Sequence, residues 1–258
     1  MKQLEIERDG GVARVWLNRP EVRNAFDGET ATELRGLLDD LGADEAVRVV
    51  VLGGRGQAFS AGADLEWMKT VAAFGREDNL READGLASLF FAIHTSPKPV
   101  VARVHGAALG GGAGLVAACD IAIAAEGTRF GFTEVRLGLI PAVISPYVVG
   151  RIGESAAREL FLTGERFEAA RAREIGLVCA VAPEADLDAA VEGRVSELLQ
   201  AGPRALAEAK ALLHAVSGRP VADVRRDTVE RIARVRSSPE GQEGLAAFLE
   251  KRKPGWVG

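Results

Sequence analysis

The sequence has few cysteines and no long apolar run, and these absences exclude several classes of protein. Its 258 residues include two cysteines, Cys119 and Cys179, which are too few for a disulfide framework. Both lie in apolar stretches, where buried thiols are expected. Glycine or charged residues interrupt every apolar stretch before the roughly 20 residues of a membrane helix. Charge in MKQLEIERDGG argues against a signal peptide, so we expect a cytoplasmic protein with no membrane partner.

An excess of positive charge and a metal-ligand pattern are also absent. Lysine and arginine number 32 against 37 acidic residues, for a formal net charge of −5, so we expect no nucleic-acid partner. The three histidines, His94, His105 and His214, have no metal-ligand spacing, and no H-E-x-x-H occurs, so we expect no metal site. His105 ends an apolar strand and is expected to be a structural histidine.

The pattern of apolar residues predicts an α/β fold in the first half and helices in the second. Short strands flank the Asp9-Gly10-Gly11 turn, and a helical stripe follows over 28–41,. Two nearly continuous apolar strands, VRVVVLGG and PVVARVHG, indicate a largely parallel sheet covered on both faces. Predicted helices then occupy 154–162, 167–175, 187–199, 203–216, 224–235 and 244–250, with one short strand in LVCAVA. We divide the chain into a core over residues 1–150 and a helical part over residues 151–258.

Two glycine-rich loops each follow a predicted strand and precede a predicted helix. They are GGRGQAFSAGADLEWM and HGAALGGGAGLVAACD, and neither matches a phosphate-binding glycine motif. Backbone N–H groups in the first turn of a helix have no partner inside it. Two such groups that meet at one point would form an oxyanion hole. Taken alone, the spacing favours the other interpretation, in which the glycines are tight packing points.

The loops and their flanking segments together resemble the crotonase (enoyl-CoA hydratase/isomerase) superfamily. VARVWLNRPEVRNAF resembles its first strand and loop, AFSAGADL its first oxyanion loop and GAALGGGAGLVAACDIAIA its second. TRFGFTEVRLGLIPAV resembles the segment with a catalytic acid, and the likeness covers residues 4–256. The resemblance implies a spiral of ββα units with a helical C-terminal trimerisation part, in a homotrimer or homohexamer. It also implies an acyl-CoA thioester substrate, with coenzyme A as part of that substrate and no separate cofactor.

Matched position by position, the resemblance implies roles for individual residues. The amides of Ala63 and Gly111 would form the oxyanion hole, and Glu134 would be the catalytic acid–base. Phe248 and Lys251 would reach toward a neighbouring subunit's coenzyme A channel. The residues implied to bind coenzyme A or substrate are Arg23, Ala25, Ala61, Asp64, Leu65, Gly110 and Gly114.

The chain departs from the family pattern at Gly114, where two-glutamate hydratases have their first glutamate. We expect this glycine to leave space where a carboxylate would lie. Phe130, Phe132 and Glu134 fall at period two, so a strand would place the carboxylate beside two aromatic rings and raise its pKa. Without the resemblance, a surface ion pair between Glu134 and Arg136 would be the preferred interpretation.

The reaction is left open among three alternatives. The segments GGGAGLVAACD and TEVRLGLIPAVISPYVVGRIGE look most like bacterial methylglutaconyl-CoA hydratases, which favours hydration of a branched or carboxylated enoyl-CoA. A single-glutamate Δ3,Δ2-enoyl-CoA isomerase is the first alternative, and a non-catalytic binding protein on the same fold is the second. A carboxylated substrate would need a cation, for which the candidates are Lys69, Arg76, Arg81 and Arg136; Ser145 and Tyr147 are candidates for the acyl pocket.

Overall fold

The chain begins with a β-hairpin that forms one edge of the main sheet. The computed structural model describes residues 3–257. Strands β1 (Leu4–Asp9) and β2 (Val12–Leu17) pair antiparallel. The turn between them is made by Gly10 and Gly11 at φ +52° and +84°, angles that glycine adopts without steric cost. The hairpin prediction is confirmed.

A six-stranded sheet extends from this hairpin and is parallel from β2 onward. Its order is β1-β2-β3-β4-β6-β9. Every residue of β3 is buried, as expected for a strand with both faces covered. The bounds of the added strands are Val49–Gly54 for β3, Val100–Val104 for β4, Ile121–Ala125 for β6 and Ala180–Ala182 for β9.

Four helices connect the strands of the first half. In α1, Leu34, Leu38 and Leu41 form the predicted buried stripe, and Asp27 caps the first turn by accepting a hydrogen bond from the Thr30 N–H at 2.8 Å,. The charged stretch after the first glycine-rich loop forms two helices that run over the surface. The helices are α1 (Gly28–Ala43), α2 (Leu65–Ala72), α3 (Arg76–Thr95) and α4 (Gly111–Ala118).

A second, three-stranded sheet lies beside the two glycine-rich loops. It has the order β5-β7-β8, with β5 over Ala107–Leu109, β7 over Arg129–Gly131 and β8 over Arg166–Glu168. The prediction of a helix from Phe167 is wrong over β8. There the chain pairs with β7 and stacks the Phe167 ring on that of Phe130 at 5.8 Å. This contact joins residues distant in sequence, so local periodicity could not reveal it.

Apart from the short strands β8 and β9, most of the chain from Ser145 to Leu249 is helical, as predicted. The helix predicted to begin at residue 154 begins at Ser145 instead, and it contains a kink at Gly153, where φ is +75°. This helix runs across residue 150, and the division into two domains stays a prediction. Buried Lys210 anchors the helical part by donating to the Asp120 carboxylate at 2.7 Å. The helices are α5 (Ser145–Thr163), α6 (Ala169–Glu174), α7 (Leu187–Gln200), α8 (Pro203–Val216), α9 (Val221–Ser237) and α10 (Pro239–Leu249).

Units of two strands and a helix recur along the chain, as in β4-β5-α4 and β6-β7-α5. This mixed α/β arrangement with a helical C-terminal region confirms the predicted fold class. Cys119 is buried as expected, but the prediction for Cys179 is wrong, because its residue is exposed beside the start of β9. Within residues 3–257, no helix combines the length and the apolar character needed to cross a membrane.

Candidate active site

The first glycine-rich loop is held against the second by backbone hydrogen bonds. The Phe59 N–H donates to the His105 carbonyl at 2.9 Å, and the Ser60 N–H donates to the Ala107 carbonyl at 3.0 Å. The Leu109 N–H donates back to the Ser60 carbonyl at 3.1 Å. The chain after β3 therefore continues as an extended segment along β5, which brings the starts of α2 and α4 together.

The Ala63 amide is left free by the hydrogen bonds on either side of it. The Phe26 N–H donates to the Gly62 carbonyl at 2.9 Å, and the Asp64 N–H donates to the Phe26 carbonyl at 3.0 Å. Alternate amides of an extended chain point in opposite directions, so the amide of Ala63 faces away from Phe26. It has no acceptor within residues 3–257.

The Gly111 amide is free because it opens a helix. Gly110 precedes it at φ +51° and ψ −120°, a conformation that is essentially restricted to glycine,. The Gly110 N–H donates to the Gly131 carbonyl at 2.8 Å, which ties the turn to β7. In the part of the chain that the structure describes, no acceptor contacts the Gly111 N–H. That group is an unpaired first-turn donor of α4.

The two free amides border one cavity, which we call the inner cavity. The loops approach so closely that a Cβ placed on Gly62 would lie 3.5 Å from the Gly111 nitrogen and 2.6 Å from the Leu109 carbonyl oxygen. The inner cavity has a volume of about 180 Å³. It is lined by Phe26, Ala63, Trp67, Leu86, Phe90, Gly111, Glu134, Ile140, Pro141, Ala142, Val143 and Ile144.

Glu134 is the one ionisable side chain among these lining residues. One carboxylate oxygen, Oε2, is buried and has no hydrogen-bond partner within residues 3–257. Burial raises the pKa of the Glu134 carboxyl above its ordinary value, in the predicted direction,. A buried carboxylate with a free oxygen and a raised pKa is the usual form of a general acid–base.

The local structure at Glu134 differs from the prediction. Strand β7 ends at Gly131, and Glu134 is the first residue of a short 3₁₀ helix over Glu134–Leu137. Phe130 and Phe132 are fully buried, so the alternation that suggested a strand holds only up to Phe132. The chain turns there because Gly131 closes the pairing with β5 and β8, and the turn aims the carboxylate at the inner cavity.

The alternative of an ion pair between Glu134 and Arg136 is wrong. The Arg136 side chain points the other way and donates from Nε to the Thr163 carbonyl at 3.4 Å. Among the ion pairs within residues 3–257, Glu134 has none. Its carboxylate therefore keeps the free oxygen that acid–base chemistry needs.

The expectation of free space at Gly114 is wrong. A Cβ on this buried glycine would overlap the Cγ2 of Ile144 and would lie 3.1 Å from the Cε1 of Phe90. The side chain of Ile144 thus fills the volume into which a glutamate at position 114 would project. The sequence did not reveal this, because Ile144 lies 30 positions further along the chain and reaches Gly114 only through the packing of α5 on α4.

A larger open groove, of about 1060 Å³, adjoins the inner cavity. We call it the outer groove, and Ala63 and Trp67 line both spaces. Five of the residues implied to bind coenzyme A line it, namely Arg23, Ala25, Ala61, Asp64 and Leu65. Gly110 and Gly114 do not line it; Gly110 lies against Glu134, and Gly114 lies beneath Ile144.

Asp64 is occupied by structural contacts. Its carboxylate caps α2 by accepting from the Glu66 and Trp67 amides at 2.9 and 3.2 Å. The other oxygen accepts from Arg19 Nη2 at 2.9 Å. Because both oxygens are used, Asp64 shapes the groove wall more directly than it offers a group to a ligand.

Arg19 is a residue of the site that the sequence reasoning missed. Its guanidinium donates to the Ala25 carbonyl at 2.8 Å and to Asp64 at 2.9 Å, and it lies 3.4 Å from the Asp27 carboxylate. It thereby holds the two walls of the outer groove together. Its place in Asn18-Arg19-Pro20, at the end of a strand, was the available signal.

Exposed Arg23 stands on the lip of the outer groove. Its backbone is left-handed, with φ +55°, and its carbonyl accepts from the Ala61 N–H at 2.9 Å. Leu65 is 73% exposed on the opposite side. Trp67, Phe90 and the segment 140–144 are further site residues that sequence reasoning missed, because nothing local distinguishes them from core residues.

None of the four candidate cations lines the inner cavity. Lys69 pairs with Glu66 at 2.6 Å, and Arg81 pairs with Asp78. The predicted acyl-pocket residues Ser145 and Tyr147 are not there either. Ser145 donates to the Ala142 carbonyl at 2.7 Å, and Tyr147 lies edge-on to His94.

The histidines take structural positions. His105 is buried, and its Nε2 lies 2.8 Å from the Gly56 carbonyl oxygen, which confirms the structural interpretation. His94 and His214 stack with ring centroids 4.1 Å apart. Within residues 3–257, no three His, Cys, Asp or Glu side chains form a group that could hold a metal ion.

Comparison with known proteins identifies the family. Residues 7–258 match the family model described as enoyl-CoA hydratase/isomerase. The chain belongs to this family. It is therefore an enzyme of the hydratase/isomerase type, and the family acts on acyl-CoA thioesters.

Solved structures and known relatives resemble the chain over nearly its full length. An enoyl-CoA hydratase from Shewanella pealeana is 43% identical, with a TM-score of 0.96 over 99% of this chain and 96% of the other. AtuE from Pseudomonas aeruginosa is 39% identical, with a TM-score of 0.96 over 100% of both chains. A crotonyl-CoA hydratase from Syntrophomonas wolfei is 31% identical over 99% of this chain and 98% of its own.

Proposed function

We propose that this enzyme hydrates the 2,3-double bond of a short enoyl-CoA thioester, with Glu134 as its only acid–base side chain. The thioester carbonyl oxygen accepts hydrogen bonds from the Ala63 and Gly111 amides. Glu134 takes a proton from water as the water oxygen bonds to C3, and the negative charge moves onto the thioester oxygen. The enolate then takes that proton from Glu134 at C2. The same steps run backward in dehydration.

One observation carries this proposal, namely that Glu134 lines the same small cavity as Ala63 and Gly111. Within residues 3–257, one Glu134 carboxylate oxygen and the backbone amides of Ala63 and Gly111 have no hydrogen-bond partner. Preorganised donors stabilise charge that develops in the transition state, and each is typically worth about 3–4 kcal/mol. The raised pKa of Glu134 suits a group that must accept and then return a proton near neutral pH.

We also propose that the outer groove holds the coenzyme A part of the substrate and that no separate cofactor takes part. The groove and the inner cavity share Ala63 and Trp67 as lining residues, so a thioester bound across both would have its acyl chain in the inner cavity and its pantetheine in the groove. Exposed Arg23 on the lip offers a cation to a phosphate,. Ala25, Ala61 and Leu65 supply apolar walls.

The walls of the inner cavity support an apolar acyl group, either straight or branched. Apart from Glu134, the lining side chains are all uncharged. A buried carboxylate without a partner is costly, so a substrate with a second carboxylate, such as 3-methylglutaconyl-CoA, has no matching group there. A short branched enoyl-CoA without a second carboxylate fits both the apolar walls and the branched substrate that the sequence suggested.

A Δ3,Δ2-enoyl-CoA isomerase is the second candidate, and the packing at Gly114 favours it. Isomerisation moves one proton between C2 and C4 and requires a single carboxylate. Because Ile144 fills the space of a second carboxylate, water has one protein partner fewer than in a two-glutamate hydratase. The same packing leaves the isomerase proton transfer unaffected.

We propose a homotrimer, or a hexamer built from two trimers, as the assembly. Large apolar side chains are exposed on the helical part, including Val221 and Phe248, each 80% exposed, and Leu249, 77% exposed. Exposed apolar clusters commonly mark protein contacts. Phe248 and Lys251 would then approach the outer groove of a neighbour. Light scattering that gives the mass of a monomer would contradict this assembly.

A panel of acyl-CoA thioesters tests the reaction and the substrate together. We expect loss of the ultraviolet absorbance of the conjugated double bond with crotonyl-CoA and 3-methylcrotonyl-CoA, and little change with 3-methylglutaconyl-CoA. Appearance of that absorbance from 3-hexenoyl-CoA would assign the isomerase. Turnover of 3-methylglutaconyl-CoA above all the others would contradict the apolar substrate.

A further inference from the structure

The side chain of Ile144 fills the space next to Gly114, beside the inner cavity. Ile144 is 2% exposed and lines the cavity. Its Cγ2 lies where a Cβ at position 114 would have to be, and its own Cβ is 2.9 Å from that point. Only glycine fits opposite this isoleucine, since protein interiors have little free volume to absorb an overlap.

Ile144 lies in the part of the inner cavity that the outer groove does not share. The inner cavity meets the outer groove at Ala63 and Trp67, which line both spaces. Ile144, Phe90 and Leu86 line the inner cavity alone. An acyl chain that enters from the groove past Ala63 and Trp67 would therefore reach the wall formed by Ile144, Phe90 and Leu86 further inside.

The cavity in front of this wall is small. Its volume of about 180 Å³ has room for about six groups of the size of a water molecule. The carbons of a short acyl chain account for that volume, whereas an eight-carbon chain exceeds it. The small inner cavity, and not the much larger outer groove, would therefore set the limit on the length of the acyl chain.

We propose that Ile144 is a specificity-determining residue that limits the length of the acyl chain by closing the cavity over Gly114. The inference rests on the proposed function, because it assumes that the acyl group occupies the inner cavity. The inference also states that residues 114 and 144 depend on each other, because only glycine at 114 leaves room for isoleucine at 144. The branched side chain takes the place of a carboxylate and turns a polar position into an apolar end wall.

Shortening this side chain tests the wall directly. Ile144→Ala removes Cγ1, Cγ2 and Cδ1, and so extends the cavity into the volume beside Gly114 that this side chain fills. We expect the ratio of kcat/KM for 2-octenoyl-CoA to that for crotonyl-CoA to rise at least about tenfold, the usual effect of one or more methylenes in an apolar pocket. Ile144→Val removes only one carbon and is expected to give a smaller rise in the same direction.

A matched control separates the wall from a general loss of packing. Ile123 is equally buried, at 1% exposure, but lies in a different core cluster with Val12 and Val49. Ile123→Ala should cost comparable stability and leave the chain-length ratio unchanged. An unchanged ratio in both Ile144→Ala and Ile144→Val, with the proteins folded, would overturn the inference.

Binding measurements test the role of Ile144 independently of the proposed reaction. If the wild-type enzyme hydrates none of the panel, the proposed function fails on that result alone. Dissociation constants for the saturated butyryl-CoA and octanoyl-CoA, measured by calorimetry, then test Ile144. In Ile144→Ala, binding of octanoyl-CoA relative to butyryl-CoA should strengthen at least about tenfold. No shift in binding would remove Ile144 as the wall.

A double substitution tests whether residues 114 and 144 act as a unit. Gly114→Ala alone should lower the midpoint of thermal unfolding, because its Cβ overlaps Ile144. Adding Ile144→Gly removes the overlapping atoms. The midpoint of thermal unfolding should therefore fall less in the double variant than the sum of the falls in Gly114→Ala and Ile144→Gly. Strict additivity of the losses would show that the two residues do not share one volume.

Discussion

Glu134 lies directly against Gly110, with its Oε1 only 3.4 Å from the point where a Cβ at residue 110 would be. Gly110 also immediately precedes the free amide of Gly111 and has φ +51°. One glycine therefore positions both the proposed acid–base group and one of the two proposed oxyanion donors. The backbone angle requires glycine, and a Cβ added there would lie in van der Waals contact with the Glu134 carboxylate,.

The first prediction concerns this glycine. Gly110→Ala should lower kcat by about 10²-fold, because a displacement of the order of 1 Å in a reacting group has that effect. KM should change much less, since the outer groove is untouched. Gly127→Ala is a matched control, because Gly127 also has φ +76° but has open space around its Cβ position. A loss of activity in the control equal to that of Gly110→Ala would contradict the argument.

Replacing the carboxylate separates catalysis from binding. Glu134→Gln should reduce kcat by about 10²- to 10⁴-fold, the usual contribution of a general acid–base, while the dissociation constant for butyryl-CoA stays within a few-fold. Near-full activity would remove Glu134 from the mechanism.

The same substitution should stabilise the fold at neutral pH. Because the folded pKa of Glu134 is raised, its contribution to stability is present at low pH and is lost as the pH rises through that folded pKa. Glutamine cannot ionise, so Glu134→Gln avoids this loss and should have a higher free energy of unfolding than the wild type at pH 7.5. Urea denaturation at pH 7.5 and pH 4 should show this gain only at the higher pH.

The pH dependence of turnover follows from the same shift. Hydration begins with the ionised form of Glu134, so kcat/KM should fall as the pH decreases through the raised pKa. We expect the midpoint of this fall to lie above 4.5, the ordinary value for glutamate. Profiles measured with crotonyl-CoA should lose this limb in Glu134→Gln. A midpoint below 4.5 would contradict the assignment.

The oxyanion hole is tested at Ala63. Proline has no N–H, so Ala63→Pro should reduce kcat by at least about 10²-fold, the cost of one such donor. Ala63→Gly keeps the donor and should lose far less activity. Similar losses in the two variants would show that the side chain at this position matters and the amide does not.

His94 should make the stability of the fold depend on pH. Its pKa is lowered, first by burial and then by the charge of His214. The other groups that face it are Tyr147, Asp120, Lys210 and Arg151. Below about pH 6.5, where an unfolded histidine takes up a proton, the unfolded chain binds more protons than the folded one. Stability should therefore fall as the pH drops from 7.5 toward 5.5.

A variant that lacks only His94 checks this last expectation. The loss in free energy of unfolding between pH 7.5 and pH 5.5 should be smaller in His94→Gln than in the wild type, as measured by urea denaturation. An equal loss in both proteins would assign the pH dependence to other groups.

Local patterns in the sequence account for most of the elements of the fold. The turn glycines 10 and 11, the leucine stripe of α1 and the apolar run of β3 each depend on near neighbours in the chain. The strand β8 and the early start of α5 were missed because both depend on partners far away in sequence. The motif around Ala63, Gly111 and Glu134 was found through family resemblance, which carries such long-range information.

The sequence alone determined which groups are present, namely two glycine-rich helix starts, one glutamate after an aromatic pair, and no glutamate at position 114. Tertiary structure decided what surrounds them. It turned Glu134 away from Arg136 and toward the inner cavity, and it filled the space at Gly114 with Ile144. The physical reason is that burial, cavity shape and pKa depend on which distant side chains pack together, and a single sequence does not display that packing.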